Sequence, residues 1–421
     1  MRFSVYWYDV KIDMVQKKRT SGKKGKKQST KKDYNKMALA LHRKLVGKLE
    51  VVSKGKLQTK DDWSTMYTPG VAAVSAHIAA RPSEARQYTI KGNTVAVISD
   101  GSAVLGLGDI GPLGAMPVME GKCAIFKEMA GVNAFPIVLD LGPRKLHKAG
   151  TQDEERIQKF VEIVKAIAPA FGGINLEDVA APHCFEIERR LKEALPIPVM
   201  HDDQHGTAIV VLAGLLNAAK VVKKDLKKMK IVIVGAGAAG RAITLMLAQA
   251  GVRNVLVVDR SGIIHGERKG IRGYKKELAE VTNPSGTQGE LEDAVKGADV
   301  LIGVSGPGRI SKAHVEAMAK DAIVFALANP IPEIKPDDAR AAGARIVATG
   351  RSDYVNQVNN SLAFPGIFRG ALDNGVRDIT DEMKIKAARK LAALVKKPTA
   401  EHIIPGIMAK GLVKAVASAI K

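Results

Sequence analysis

Cysteine is scarce in this chain, and long apolar runs are lacking. The 421 residues include two cysteines, Cys123 and Cys184, whose positions match no metal-ligand or redox spacing. This argues against a disulfide-stapled secreted domain and favours a reduced, cytoplasmic setting. We find no uninterrupted apolar stretch of about 18 residues, so no transmembrane helix and no membrane partner are predicted. The N-terminal residues lack the apolar segment of a secretory signal, and we expect no such leader.

Acidic residues are also in short supply, and the imbalance is concentrated at the N-terminus. The chain has 65 Lys and Arg against 43 Asp and Glu, a net charge of +22, and residues 1–36 hold 12 basic and 3 acidic side chains. A run rich in Lys, Ser and Gly cannot bury enough apolar surface to order itself, so we predict a disordered, solvated extension over residues 1–36. The alternative is a contact with nucleic acid or acidic lipid. No aromatic side chain interrupts the basic run to stack on bases, which favours the solvated extension.

The rest of the chain is long enough for two domains, and the first of them mixes helices with short strands. Apolar runs at 93–101 and 134–142 predict buried strands, and the spacing at 155–171 and 184–195 predicts amphipathic helices. The segments "GINLED" and "IPVMHDD" predict two further strands, each of which ends in carboxylates. We assign residues 37–208 to this N-terminal substrate domain.

From residue 209 strand and helix patterns alternate regularly. The strands are "KIVIV", "NVLVVD", "ADVLIGV", "AIVFALA" and "ARIVAT". Such alternation predicts a parallel sheet joined by right-handed crossovers. Two helical patterns close the chain. The predicted fold class is therefore α/β, with a Rossmann-like domain and its closing helices over residues 209–421.

The segment "VGAGAAG" indicates a dinucleotide site. It places Gly235, Gly237 and Gly240 in the G-x-G-x-x-G spacing between a predicted strand and a predicted helix. The first glycine permits the tight turn, the second permits a pyrophosphate to approach, and the third lets the helix pack on the strand. The helix start, with Ala238 and Ala239, offers unpaired N–H groups to the phosphates. We therefore predict that NAD or NADP binds here.

The choice between the two cofactors depends on the end of the next predicted strand. Asp259 lies there, 24 positions after Gly235. Its carboxylate would accept hydrogen bonds from the adenosine ribose and repel a 2′-phosphate, which favours NAD. Arg260 follows directly and could admit NADP, so the sequence leaves the preference open.

Two pairs of adjacent carboxylates suggest a metal site. Glu177 and Asp178 follow one predicted strand, and Asp202 and Asp203 follow another. Strand ends can converge at one rim of a sheet, where the carboxylates would repel one another without a cation. Oxygen ligands favour Mg²⁺ or Mn²⁺ over zinc. A nicotinamide cofactor with a divalent metal suggests oxidation of a hydroxy acid, followed by decarboxylation of the ketone.

Three nearby histidines do not extend this ligand set. They are His183, His201 and His205. His201 and His205 are four residues apart, but without a helix this spacing would not place them on one face. We therefore interpret all three as supporting polar residues.

Five longer motifs closely resemble the small prokaryotic form of malic enzyme, over essentially the whole chain from about Met37 onward. They are "YTPGVA", "DGSAVLGLGDIGPLGAMPVMEGK", "INLEDVAAPHCF", "HDDQHGTA" and "NNSLAFPGIFRGAL". The resemblance implies conversion of (S)-malate and NAD(P)⁺ to pyruvate, CO₂ and NAD(P)H by a homodimer that requires Mn²⁺ or Mg²⁺.

The resemblance also implies roles for particular residues. Tyr67 would be the general acid, Lys122 the general base, and Asp202 a supporting carboxylate. Glu177, Asp178 and Asp203 would bind the metal. Asn329 and Asn360 would bind the substrate and the nicotinamide end of the cofactor. Neither Tyr67 nor Lys122 is distinguished by spacing alone.

The proposed base needs a perturbed pKa. A free lysine, with a pKa of about 10.4, is a poor base at neutral pH. A neighbouring cation and partial desolvation are predicted to lower the pKa of Lys122.

Two alternatives stay open from the sequence. A two-domain amino-acid dehydrogenase would also use a lysine, but it would need no metal and would leave the carboxylate pairs unexplained. A nucleic-acid-associated protein would act through residues 1–36.

Overall fold

The computed structural model describes residues 33–142 and 154–421. The first described element is helix α1, Tyr34–Leu45, which belongs to a compact unit separate from residues 47–421. The Asp33 carboxylate caps this helix by accepting from the backbone N–H groups of Asn35 and Lys36. Residues 34–36, predicted within the disordered extension, are therefore helical because of this cap. The prediction for residues 1–32 lies outside the described residues.

A four-stranded parallel sheet organises the first half of the larger unit. Its order is β2-β1-β3-β4, with β1 Thr94–Ser99, β2 Asn133–Val138, β3 Gly173–Leu176 and β4 Val199–His201. The associated helices are α2 Lys60–Met66, α3 Val71–Ala80, α4 Ala85–Tyr88, α5 Gly111–Ala130, α6 Glu154–Ile167 and α7 His183–Ala194. All four predicted strands are present. Because they are parallel, their carboxyl ends share one rim.

A six-stranded sheet organises the second half. Its order is β10-β9-β8-β5-β6-β7, and five strands are parallel while the short β7 at the edge is antiparallel. The strands are β5 Ile231–Val234, β6 Val255–Asp259, β7 Gly262–Ile263, β8 Val300–Gly303, β9 Ile323–Ala326 and β10 Ile346–Thr349. The helices are α8 Asp202–Val222, α9 Ala238–Gln249, α10 Tyr274–Val281, α11 Leu291–Val295, α12 Lys312–Glu316, α13 Pro336–Ala341, α14 Phe364–Asn374, α15 Asp381–Ala392 and α16 Leu412–Ala417. The predicted Rossmann-like α/β fold is confirmed.

Helix α8 joins the two halves. The sequence prediction placed Asp202 and Asp203 at the end of a strand, whereas β4 ends at His201 and α8 begins at Asp202. Acidic side chains in a first helical turn are favoured by the helix dipole, which explains the earlier start. The helix continues across the predicted boundary at residue 208. Among the described residues it is the one helix long and apolar enough to span a membrane, but 67% of its apolar window is buried, as expected of a core helix.

The C-terminal helices do not pack on the second sheet alone. Helix α14 packs on α5 and β3 of the first half. The ring of Phe126 on α5 makes edge-to-face contacts with Phe364 and Phe368 of α14, at centroid distances of 4.7 and 5.4 Å. Each such pair contributes about 0.5–1.5 kcal/mol beyond the area that it buries. One apolar core therefore spans both sheets.

Candidate active site

The two carboxylate pairs converge at the rim of the first sheet. Glu177 and Asp178 follow β3, and Asp203 lies in the first turn of α8, directly after the neighbouring strand β4. One oxygen from each of these three side chains lies within 4.8 Å of the others. The backbone N–H of Asp178 donates to Asp203 Oδ2 at 2.8 Å, which fixes the two loops to each other. The predicted convergence is therefore present.

The donor set fits a hard divalent cation. It consists of carboxylate oxygens, the ligands that Mg²⁺ and Mn²⁺ prefer. Asp178 Oδ2 is buried and has no hydrogen-bond partner in the described structure. A buried carboxylate oxygen without a partner is costly, and a cation would compensate it. These residues would hold the metal that the resemblance implies.

The pKa values of the four carboxyl groups are raised, because these groups are buried close to one another. Burial, and then the charges of Asp203 and Glu177, raise the pKa of Asp178 to about 9. Burial raises the pKa of Glu177 to about 7 and that of Asp202 to about 6, although Lys122 lowers both. Burial also raises the pKa of Asp203. The cluster carries more negative charge than its one lysine neutralises.

Lys122 is the cation at the centre of the cluster. It lies on α5, its side chain is 11% exposed, and its Nζ is 2.9 Å from Glu177 Oε1 and 2.6 Å from Asp202 Oδ2. Burial by itself would lower the pKa of Lys122, but Asp202, Glu177 and Asp203 outweigh it and raise the pKa above its ordinary value. The predicted lowering depends on a neighbouring cation and stays a prediction; in the protein alone the pKa is raised instead. The reason is that its charged neighbours there are all anionic.

The loop between β1 and α5 supports the turn that carries Asp178. Asp178 has a φ of 53°, in the left-handed region that costs a non-glycine residue about 1–3 kcal/mol. The N–H groups of Ala103 and Leu105 donate to its carbonyl oxygen and to its Oδ1, at 3.0 and 3.3 Å. This loop lies within the motif "DGSAVLGLG". No residue pattern in this motif predicted that its backbone holds Asp178.

Tyr67 is not brought to this cluster within the single chain. It follows α2, and 64% of the residue is exposed. No described hydrogen bond joins its hydroxyl to Lys122 or to the carboxylates. Between residues 47 and 93 no residue is buried, so this part of the chain has no core of its own to fix the tyrosine.

The dinucleotide loop has the predicted geometry. Gly235 has a φ of 120°, and a Cβ there would lie 2.6 Å from the carbonyl oxygen of Val304. A Cβ on Gly240 would collide with the carbonyl oxygen of Gly235, whereas Gly237 faces open space. Helix α9 begins with Ala238 and Ala239. The tight turn, the open approach and the close helix packing thus fall on the three predicted glycines.

Asp259, at the end of β6, is already engaged. Arg268 donates to its two oxygens at 2.8 and 3.0 Å, and Lys275 donates to Oδ2 at 2.6 Å. Burial would raise the pKa of Asp259, but these partners and the Ser261 N–H lower it. Arg260 is exposed. The two cations, which sequence spacing did not reveal, compete with a ribose for this carboxylate.

Of the two predicted asparagines, Asn360 lies beside the cluster and Asn329 lies against the loop that supports it. A Cβ on Gly206, one turn along α8 from Asp202, would collide with the Asp202 carboxylate and lie 3.1 Å from Asn360 Cβ. Asn329 follows β9, and its backbone carbonyl lies against Gly106 of the loop that supports Asp178.

Glu333, which the sequence reading missed, organises the loops beyond β8 and β9. It is fully buried, and it accepts from the N–H groups of Ser305 and Ala328 at 2.9 and 3.0 Å. Ala328 directly precedes Asn329, so Glu333 fixes the segment that carries this asparagine.

A Rossmann sheet beside a buried lysine and four carboxylates defines an NAD(P)-dependent oxidoreductase. The family model described as "Malic enzyme, N-terminal domain" matches residues 46–192, and that described as "Malic enzyme, NAD binding domain" matches residues 204–420. The chain belongs to the malic enzyme family, in its small form.

Similar proteins from other organisms agree with this assignment. The NAD-dependent malic enzyme of Geobacillus stearothermophilus is 56% identical over 376 residues, which cover 89% of this chain and 76% of that protein. The NADP-dependent malic enzyme of Halomonas elongata is 47% identical over 371 residues, which cover 87% of this chain and 84% of that protein. The crystal structure of NAD-dependent malic enzyme from Thermotoga maritima has a TM-score of 0.85 at 46% identity, over 91% of this chain and 98% of that one. The reaction is thus the oxidative decarboxylation of malate, which replaces the amino-acid dehydrogenase alternative.

Proposed function

We propose that Lys122 and the carboxylates around it form the catalytic centre for the conversion of (S)-malate and NAD(P)⁺ to pyruvate, CO₂ and NAD(P)H. The observation that carries this proposal is the position of Lys122 Nζ, within hydrogen-bond distance of Glu177 and Asp202 and beside the carboxylates of Asp178 and Asp203. A lysine buried among acidic oxygens is a proton carrier in reach of a hydroxy acid.

The residues divide the proton transfers between them. Glu177, Asp178 and Asp203 would hold Mn²⁺ or Mg²⁺, which when bound supplies positive charge to stabilise negative charge on the substrate oxygen and to offset the carboxylates around Lys122. Neutral Lys122 Nζ accepts the C2 hydroxyl proton of malate while hydride leaves C2 for the nicotinamide. Asp202 orients the amine. After CO₂ leaves, the hydroxyl of Tyr67, which a second copy of the chain would bring to this cluster, donates a proton to C3 and gives pyruvate.

Removal of divalent metal tests this proposal directly. Malate-dependent NAD(P)H formation is expected to fall to background after thorough chelation, because Lys122 by itself does not balance the negative charge of the four carboxylates. Added Mn²⁺ or Mg²⁺ is expected to restore it. Initial rates measured with each cofactor, with and without metal, provide the test. An unchanged rate in the chelated protein would contradict a metal site at Glu177, Asp178 and Asp203.

We propose that NADP is accepted as well as NAD. Arg268 and Lys275 occupy the Asp259 carboxylate, so it no longer presents a free negative charge to a 2′-phosphate. Together with the exposed Arg260, these side chains leave the region with net positive charge. Asn329 and the glycine loop would contact the remainder of the cofactor.

Replacing Arg268 with alanine is expected to shift the preference toward NAD. Loss of one charged hydrogen-bond partner should lower kcat/KM for NADP about tenfold relative to NAD, because Asp259, left with Lys275 alone, would have an oxygen available to bind the ribose and more negative charge to repel the phosphate. Steady-state kinetics with both cofactors measure the ratio. Arg253→Ala, on the exposed turn before β6, is the control. Equal losses for both cofactors would refute a role in discrimination.

We further propose a homodimer. Residues 47–93 include helix α3, an apolar helix with no buried residue, and the exposed apolar side chains of Leu49, Val51, Val52, Leu57, Trp63, Met66, Tyr67, Val71, Val74, Tyr88 and Ile90. Contiguous exposed apolar surface favours a covering partner, and a second copy would also enclose Tyr67. A sedimentation experiment that gave the mass of one chain would refute it.

We propose a functional division near the predicted boundaries. Residues 37–208 would carry the substrate chemistry and residues 209–421 the dinucleotide, which the two family matches support. A cytoplasmic location is supported by two buried cysteines that form no disulfide.

A further inference from the structure

A buried carboxylate outside the metal cluster contacts the turn that carries two of the cluster's residues. Glu188 lies on α7 and is 6% exposed. Its Oε1 accepts from the backbone N–H of His201 at 2.9 Å, and its Oε2 accepts from Gln204 Nε2 and His205 Nε2, each at 3.0 Å. His201 ends β4, and the other two donors lie in the first turn of α8. Asp202 and Asp203 lie between them.

A second layer fixes this arrangement from the C-terminal helices. Lys384 of α15 is 3% exposed and lies 3.1 Å from His205 Nδ1, and it also donates to Asp381 at 2.7 Å. Since the ammonium can only donate, His205 accepts at Nδ1 and donates from Nε2 to Glu188. The tautomer of His205 is therefore determined. Its imidazole ring separates the positive charge of Lys384 from the buried negative charge of Glu188.

The turn needs such a support. His201, at the helix N-cap position, makes no capping hydrogen bond with its side chain. The adjacent carboxylates of Asp202 and Asp203 repel each other, and each must point to a different partner. Asp202 faces Lys122, whereas Asp203 receives the Asp178 N–H. Glu188 is the group that binds the turn on the side away from these contacts.

We propose that Glu188 is a positioning residue that fixes the first turn of α8, so that Asp203 keeps its place in the metal-binding set and Asp202 its contact with Lys122. This inference rests on the metal site of the proposed function. Glu188 itself touches none of the reacting groups. Its three accepted hydrogen bonds need two oxygens, which an amide cannot supply, since glutamine offers one oxygen and two N–H donors.

Glu188→Gln tests the proposal by direct metal binding. Calorimetric titration of the full-length, chelated protein with Mn²⁺ is expected to give an affinity about 10- to 100-fold weaker than that of the wild type, the usual effect of losing a group that orients metal ligands. NADH binding, followed by nucleotide fluorescence, should be unchanged, because the glycine loop is not touched. Glu193→Gln is the matched control. It lies on the same helix, exposed, and pairs with Arg189.

A second variant covers the case in which Glu188→Gln does not fold. Lys384→Met keeps the length and burial of the side chain while it removes the contacts with His205 and Asp381. It is expected to weaken Mn²⁺ binding in the same direction, by less than Glu188→Gln. In a folded double variant, the effects should not add, because both act through His205.

The outcomes separate the two proposals. If the wild type does not bind Mn²⁺, the proposed metal site fails. If the wild type binds Mn²⁺ and folded Glu188→Gln binds it equally well, or loses Mn²⁺ and NADH in parallel, the positioning role is overturned. If Glu188→Gln does not fold, Lys384→Met with wild-type Mn²⁺ affinity overturns it.

Discussion

Replacing Lys122 with alanine is expected to lower kcat/KM for malate about 10²- to 10⁴-fold, the usual contribution of a general acid or base. The amine is the one basic group within hydrogen-bond distance of both Glu177 and Asp202 in the described structure. Steady-state kinetics with saturating Mn²⁺ measure the loss, and NADH binding should be retained because the nucleotide loop lies on the other sheet.

A conservative variant separates the proton-transfer role of Lys122 from its charge. Arginine at this position keeps a positive charge beside Glu177 and Asp202, but it cannot be deprotonated at ordinary pH. Lys122→Arg should therefore be inactive, but it should retain more of the thermal stability of the wild type than Lys122→Ala does. Lys127→Ala is the control, since Lys127 lies on the same helix α5 and only reaches Asn133 at the surface. Substantial turnover by Lys122→Arg would contradict the role of Lys122 as the base.

Replacing Asp178 with asparagine is expected to affect stability in opposite directions without and with metal. In the chelated protein at neutral pH, folding must bury an Asp178 carboxyl whose pKa is raised to about 9. The variant avoids this cost and should unfold at a higher temperature than the wild type. With Mn²⁺ at 100 times its Kd, the wild type should gain about 2.7 kcal/mol from binding, and the variant should gain little.

The pH dependence of stability follows from the direction of the pKa shift of Asp178. A carboxyl group whose pKa is raised in the folded state favours folding when protonated. The metal-free wild type should therefore lose stability as the pH rises from about 4, the ordinary pKa, to the folded value of about 9. Asp178→Asn should flatten this slope. Thermal unfolding at several pH values, in chelator and in Mn²⁺, provides the measurement. Asp140→Asn, at an exposed position just after strand β2 of the same sheet, should change neither curve. An Asp178→Asn curve that matched the wild type in both conditions would contradict the metal site.

Local pattern predicted much of this molecule. Apolar runs located every strand of the two sheets except the short antiparallel β7, and the glycine spacing located the dinucleotide loop, because strand burial and tight turns leave their requirements in adjacent residues. The convergence of Glu177 and Asp178 with Asp203 also followed, because parallel strand ends must meet at one rim.

Other features depend on contacts between distant parts of the chain, and these escaped prediction. The engagement of Asp259 by Arg268 and Lys275 arises from the segment after β7 and from α10, and the fixing of the α8 turn by Glu188 arises from α7. The raised pKa of Lys122 in the protein alone was not predicted either, because it is set by three separate carboxylates. No periodicity in the sequence encodes such pairings. Tyr67 and Lys122 were identified by family resemblance alone.

Continuity of α8 limits how this protein could be recombined with its relatives. Its 21 residues begin at Asp202 and Asp203 and end against the nucleotide-binding half, without a break. A chimera joined at residue 208 would therefore combine segments from two parents within one buried helix. Its α14 would also have to pack on the α5 of a different parent. An exchange of the nucleotide-binding half after Val222, with α5 and α14 taken from the same parent, would keep α8 whole and would keep the packing of α14 on α5.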